Sequence, residues 1–364
     1  MAFIRLDRSS FFHNLNELVL KTGSKDKLAV VLKDNAYGHG LEQIADMAAQ
    51  YGITRAVVIR NEEAFGIMDR FEQILVLGDF PTAVCPKLSY AVSELEVLKR
   101  IDPQTRIELK IDTGMHRNGI EPGELSPALE IIRNRKLNLF GVMTHYRSAD
   151  VLSSELFWQR KNFEQIKRHV KKKGFKQVRY HSCNTAALLR CGKFDDDIAR
   201  VGIGIYGYSG LPDVFRPPEL RPVLSLWARR MSTRHVKSGE RIGYAGIYEA
   251  KRNMTVSTYD LGYGDGWPRG DASNPYTLAD GKPLLGRVSM DFVSIESEEE
   301  EICIMDDAQR AAEHFGTITY EMTTALMPGI PRFYSQEGEN GGRRKNDAAS
   351  KPGISGDGKR FPFR

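Results

Sequence analysis

Residues 29–40 read AVVLKDNAYGHG, and this stretch sets how the rest of the chain is parsed. The apolar residues Ala29, Val30, Val31 and Leu32 have the length and composition of a buried strand, and Lys33 follows them directly. An ammonium where a buried strand stops must be solvated, paired or neutralised by chemistry. A tyrosine and a histidine then stand among glycines, a pattern of tight backbone turns.

The neighbouring segments place that strand in a repeating frame. Before it, FFHNLNELVLKTG puts Phe12, Leu15, Leu18 and Val19 on one helical face and stops at Gly23, a C-cap. After it, LEQIADMAAQYG sets Leu41, Ile44, Ala45 and Ala48 at helical spacing and stops at Gly52. RAVVIR, QILVLGD, RIELKID, LFGVMTHY and IARVGIGIYG read as further strands, with helical segments such as SSELFWQRKNFEQIKRHVKKKG between them. Alternation of this kind predicts an α/β fold with a parallel sheet inside a layer of helices. A strand count near eight favours an N-terminal (β/α)8, TIM-like barrel over residues 1–219. Pro212, Pro217 and Pro218 mark a change of character. Beyond them PVLSLWARRMSTRHV alternates apolar with polar residues, and turn signals recur, as expected of a mainly antiparallel β domain over 220–334. Residues 335–364 lose all periodicity and are rich in Gly, Lys and Arg, so they are read as a disordered tail outside the fold.

The composition, 41% hydrophobic and 27% charged, is that of a globular protein. A net charge of +5 over 364 residues gives little reason to expect a nucleic-acid partner, and only the tail is strongly basic. No apolar run approaches the roughly 18 residues of a membrane span. The start, MAFIRLDRSS, has no secretory pattern, which predicts a cytoplasmic protein. The four cysteines form neither a CxxC pair nor a metal-ligand spacing, so no metal is expected.

In a barrel, catalytic groups come from the C-terminal ends of different strands. That rule selects Lys33, Lys110, Arg117, His145, His181, Asn184, Arg200 and Gly202. Any one of them alone reads as a rim salt bridge or a solvated loop residue. Together they bring cations and imidazoles to one mouth, where they would repel each other unless an anion binds. A phosphorylated aldehyde cofactor meets both needs. It would convert Lys33 to an imine, and its phosphate would take the backbone amides at Gly202 and Ile203. The glycines of GIGIYG are by themselves a weak phosphate signal, since glycines at strand ends usually ease a turn.

These residues carry a resemblance. AVVLKDNAYGHG is similar to the pyridoxal-phosphate motif of the alanine racemases, and LKIDTGMHRNGI, MTHYRSAD, HSCNTAA, ARVGIGIYG, RIGYAGIY, LGYGDGWPR, GRVSMD and PRFY resemble that family's other blocks in their usual order. The resemblance runs from about residue 4 to residue 334 and leaves out only the tail. Pyridoxal-phosphate-binding homeostasis proteins share the barrel but lack the second domain.

The resemblance implies a homodimeric enzyme that interconverts L- and D-alanine with pyridoxal 5'-phosphate and supplies D-alanine for peptidoglycan. On it, Lys33 is the Schiff-base lysine, and Tyr37, Thr185, Gly202, Ile203 and Tyr334 hold the phosphate, with His145 also beside the cofactor. Arg200 faces the pyridine nitrogen with His181 behind it. Arg117 touches the cofactor's phenolic oxygen and the substrate carboxylate, and Lys110 is a position for carbamylation. Tyr244 is the second base, supplied by the partner subunit, and Tyr263, Met290 and Asp291 line substrate entry and carboxylate binding. Racemisation needs a proton taken from one face of the α-carbon and returned to the other. Lys33 would serve the D side and Tyr244 the L side. A guanidinium does not readily donate a proton, so Arg200 should leave the pyridine nitrogen unprotonated and argues against decarboxylation. The chain departs from the family pattern at Leu32, Asp34 and Asn35, at Thr185 where serine is commoner, and at His116 and Asn118, which leave substrate range open. Alternatives are a broader amino-acid racemase, a non-catalytic cofactor carrier and a nucleic-acid binder resting on the tail alone.

Overall fold

The computed structural model describes residues 1–335, so the tail expected over 335–364 lies, after Ser335, outside the described residues. Eight parallel strands form one sheet, the first seven side by side in chain order and the eighth beside the first. Strand β1, Phe3–Leu6, is not among them. The sheet holds β2 (Leu28–Val31), β3 (Arg55–Val58), β4 (Gln73–Val76), β5 (Leu88–Val92), β6 (Arg106–Lys110), β7 (Asn138–Met143), β8 (Arg179–His181) and β9 (Ala199–Val201). The last strand returns to the first, with Leu28 opposite Ala199 and Ala29 opposite Arg200. Two backbone bonds bridge the remaining seam between β8 and β9, Arg200 N–H to the Cys183 carbonyl at 2.9 Å and Asp197 N–H to the Tyr180 carbonyl at 2.9 Å. The barrel is therefore nearly closed, as the alternating sequence predicts.

Local sequence explains the ring of helices around it. Helix Arg8–Thr22 begins where the Asp7 carboxylate accepts from Ser10 N–H at 3.0 Å and ends at Gly23, which takes the left-handed conformation at φ 77°. It precedes β2, yet packs against Thr185–Arg190, Leu41–Tyr51 and the 3-10 turn Ile203–Tyr206, so it fills the place in the ring after β9. Between β4 and β5, residues 77–87 connect without a helix.

The second sheet is built on one long strand, β10 (Leu224–Val236). Its first half alternates buried and half-buried residues, as the sequence predicts. It pairs antiparallel with Met254–Tyr259, with Glu301–Met305 and with β1, and β1 pairs in parallel with Arg332–Tyr334. The first and last strands of the described residues thus both lie in this sheet. Among the described residues no helix is long and apolar enough to cross a membrane, and no group of His, Cys, Asp and Glu side chains could hold a metal ion.

Candidate active site

Lys33 leaves the end of β2 into a turn of unusual hand. Asp34, Asn35, Ala36 and Tyr37 all have φ between 52° and 55°, one turn of left-handed helix, and Gly38 continues at φ 79°. For L-residues this conformation costs about 1–2 kcal/mol each, least for Asp and Asn. The surroundings hold it in place. Glu63 accepts from Asp34 N–H at 2.7 Å, the Asn35 side chain accepts from Leu41 N–H at 2.9 Å, and Arg332 donates to the Gly38 carbonyl at 2.8 Å. A Cβ on Gly38 would lie 1.9 Å from the Thr323 carbonyl oxygen, so only glycine lets the segment Thr319–Thr324 come this close. The Lys33 ammonium pairs with the Asp34 carboxylate at 3.0 Å and stands 5.9 Å from the centre of the Tyr37 ring.

The turn brings Tyr37 onto the start of the segment after β9. Its buried ring packs 5.1 Å from that of Tyr206 and 5.7 Å from that of Tyr320. Burial, then Tyr320 and Asp34, pushes its phenol well above the usual range, so the hydroxyl keeps its proton. A Cβ on Gly202 would meet the Tyr37 hydroxyl at 2.6 Å, and one on Gly204 would meet Thr185 Cγ2 at 2.6 Å. The Thr185 hydroxyl accepts from Gly204 N–H at 3.2 Å. Tyr37, Thr185, Gly202 and Ile203 therefore share one small-residue cradle, and the side chain that a bulkier residue would bring is excluded from it.

On the other side of the mouth the cations converge on His145. Burial, followed by Arg200, Arg117, Lys110 and Lys33, pushes its imidazole down to about 3, so it is neutral at any physiological pH. Lys110 is pushed down to about 8 by burial, with Arg117 and Arg200 adding to it and Asp112 opposing. Its ammonium donates to the Asn118 side chain. Arg117 is exposed, and among the described residues it makes no ion pair. Arg200 is buried and tied down, donating to His181 Nδ1 at 2.8 Å, to the His181 carbonyl at 2.9 Å and to the Thr144 carbonyl at 2.7 Å. Counting Asp34 and Asp112 against these groups leaves a surplus of positive charge. The donor set fits an anionic, phosphorylated cofactor.

The other sequence-derived residues lie apart from this group. Tyr263, Met290 and Asp291 sit on touching loops, with Gly264 N–H donating to the Met290 carbonyl at 2.8 Å. Tyr244 occupies the turn Tyr244–Gly246, 67% exposed, so its phenol is not packed inside its own β sheet. Tyr334 donates to the Gln43 carbonyl at 3.4 Å and has Arg8 over its ring, and no contact joins it to Tyr37 or Gly202 among the described residues. Sequence reasoning missed Tyr206, Tyr320 and Glu108. Tyr206 and Tyr320 carry no local signal that they wedge Tyr37. Glu108 does: it is an acidic residue in phase with Lys110 and out of phase with the apolar Ile107 and Leu109.

Two family models cover most of the chain. Residues 6–210 match the family described as alanine racemase, N-terminal domain, and residues 223–334 match alanine racemase, C-terminal domain. An alanine racemase of a Nitratiruptor species is 46% identical over 338 residues, 92% of this chain and 99% of the relative. The crystal structure of alanine racemase from Bacillus anthracis with bound L-Ala-P superposes with a TM-score of 0.83 at 27% identity, over 93% of this chain and 96% of that one. A histidine racemase from Leuconostoc mesenteroides subsp. sake superposes with a TM-score of 0.79 at 25% identity, over 92% of this chain and 98% of that one. A lysine at the end of a barrel strand, a mouth rich in cations and a second β sheet are thus set in a chain that matches both halves of one enzyme family: the chain belongs to the alanine racemases.

Proposed function

We propose that this chain interconverts L- and D-alanine, and so supplies D-alanine for peptidoglycan, with pyridoxal 5'-phosphate held at the barrel mouth. The carrying observation is the packing of Tyr37, beside Lys33, onto Gly202, with the charges of Lys33, Lys110, Arg117 and Arg200 all acting on His145. When bound, the cofactor supplies an aldehyde that condenses with amines and a ring that withdraws electrons from the substrate's α-carbon. Lys33 would hold the aldehyde, and Tyr37, Thr185, Gly202 and Ile203 the phosphate, with Tyr334 a further candidate. Arg200 would face the ring nitrogen, buttressed by His181, with His145 neutral beside it. A guanidinium tied to two carbonyls and an imidazole keeps its protons, so that nitrogen gains none from it. Arg117, exposed and without an ion pair, would take the substrate carboxylate, with Met290, Tyr263 and Asp291 at the entrance.

Lys33 would move the proton at one face of the α-carbon and Tyr244 at the other. The exposure of Tyr244, together with that of Met290 at 56% and Tyr263 at 43%, supports a second copy of the chain as partner, each copy lending its tyrosine to the other's mouth. We further propose a division into a cofactor-binding barrel, 1–219, and a β domain, 220–334, with β1 lent from the first to the sheet of the second. The purified, reconstituted protein should be yellow, with a visible band lost on borohydride reduction or in Lys33→Ala, and it should racemise L-alanine. A protein that stays colourless after reconstitution would end this reading. Rates on alanine, serine, lysine and histidine would measure its breadth.

A further inference from the structure

Below the mouth, the barrel interior holds a polar column whose Ser89, Glu108 and Arg179 lie outside all of the motifs. Alternation along β6 turns Ile107 and Leu109 outward into the apolar layer, and Glu108 lies fully buried on the other face. Its carboxylate accepts from the Ser89 hydroxyl at 2.7 Å, from Arg179 Nη2 and from His181 Nε2. Burial works to raise its pKa, but His181 and Arg179 outweigh that and hold it well below the usual carboxylate range. The space it fills is made for it. Gly141 on β7 is its register partner, and a Cβ there would lie 2.6 Å from Glu108 Oε2. The β6–β7 pairing also shifts register between Ile107 and Glu108.

The imidazole of His181 links this carboxylate to Arg200. A carboxylate only accepts and a guanidinium only donates, so Nε2 carries the proton and Nδ1 receives from Arg200. Among the described residues, none of the Arg200 hydrogen bonds goes to a carboxylate. Its side-chain route to a counter-charge runs through the His181 imidazole to Glu108, while Asp196, held by Ser182, acts on it across space. A buried guanidinium with no such partner is costly and free to shift. Arg179, Arg55 beyond it, Asp196 and Lys110 are further charges that act on the column.

We propose that Glu108 is the positioning residue for Arg200, fixing through His181 the tautomer and the placement of the guanidinium that faces the cofactor's ring nitrogen. This rests on the function proposed above for Arg200. The same logic governs carboxylate–histidine pairs behind metal ions, where removing the outer carboxylate typically weakens binding by about 10–100-fold.

The test compares wild type with Glu108→Gln and Gly141→Ala, the second of which crowds the carboxylate without removing it. Nitrogen-15 NMR of the cofactor-free protein should show His181 as the neutral Nε2–H form in wild type. Both variants should shift it towards a mixture, because a carboxamide N–H can donate to Nε2 and a displaced carboxylate no longer accepts well. Titration with pyridoxal phosphate, read by the visible band, should show a dissociation constant raised by about tenfold or more. If both variants keep the wild-type tautomer and affinity and lose only thermal stability, Glu108 is a barrel-filling residue and the inference is wrong. Should Glu108→Gln fail to fold, the Gly141→Ala result alone decides by the same criteria. If wild type binds no cofactor, the functional reading falls, while the tautomer measurement still judges the link from Glu108 to Arg200 separately.

Discussion

Lys110 should take up carbon dioxide far more readily than a surface lysine. Burial beside Arg117 and Arg200 pushes its ammonium from 10.5 down to about 8. At pH 7 roughly one amine in ten is then neutral, against roughly one in three thousand for an ordinary lysine, a gain of about 300-fold in the reactive form. Addition of carbon dioxide to the neutral amine forms a carbamate and releases a proton, turning a cation into an anion between two guanidiniums. The bond from the ammonium to Asn118 opposes this, though only by a single neutral acceptor. Carbon-13 NMR in labelled bicarbonate is the direct assay. One protein carbamate signal is expected, absent in Lys110→Arg, growing as pH rises towards 8 and fading below 7. Arg117→Ala removes one of the cations that depress the amine and should move that rise to higher pH. The sign for stability follows: the folded pKa lies below the unfolded one, so between about pH 8 and 10.5 the unfolded chain binds more protons and stability rises with pH. A wild-type spectrum without any Lys110-dependent signal from about pH 6 to 9 would refute the reasoning.

Two further outcomes probe the mouth itself. Gly202→Ala would place a methyl 2.6 Å from the hydroxyl of Tyr37, a ring wedged by Tyr206 and Tyr320, and overpacking of this kind costs about 1–3 kcal/mol. Cofactor titration should show a loss of about fivefold to hundredfold, and unchanged affinity would mean that Tyr37 can yield. Mixing an inactive Lys33→Ala variant with an inactive Tyr244→Phe variant should restore part of the activity through hybrid sites. No recovery, with exchange of subunits verified, would count against shared sites.

Much of the site is legible in the sequence because it follows from strand periodicity. Residues at or near the C-terminal end of a barrel strand reach the mouth, and that rule picks Lys33, Lys110, His181 and Arg200 from widely separated segments. Glu108 is equally in phase, yet an acid between Ile107 and Leu109 gives no hint of its partner. Arg179 and His181 lie about seventy residues away, and only closure of the sheet brings them together. The left-handed turn at 34–37 was also invisible. Asp34 and Asn35 tolerate that conformation, but Ala36 and Tyr37 do not favour it, and they adopt it because Glu63 and Arg332 hold the ends and Gly38 admits a neighbouring segment.

By itself, then, the sequence determined the alternation of strands and helices, the amine at the strand end and the family to which the blocks belong, all of them properties of neighbours along the chain. Tertiary structure alone decided which charge answers which. Arg200 is hydrogen-bonded to Glu108 through His181, Lys110 loses part of its affinity for a proton because folding buries it and sets Arg117 and Arg200 near it, and Tyr37 is gripped by Tyr320 from a helix near the end of the second domain. Pairing energies depend on distance and on the water excluded between the groups, and the order of residues fixes neither until the chain has closed on itself.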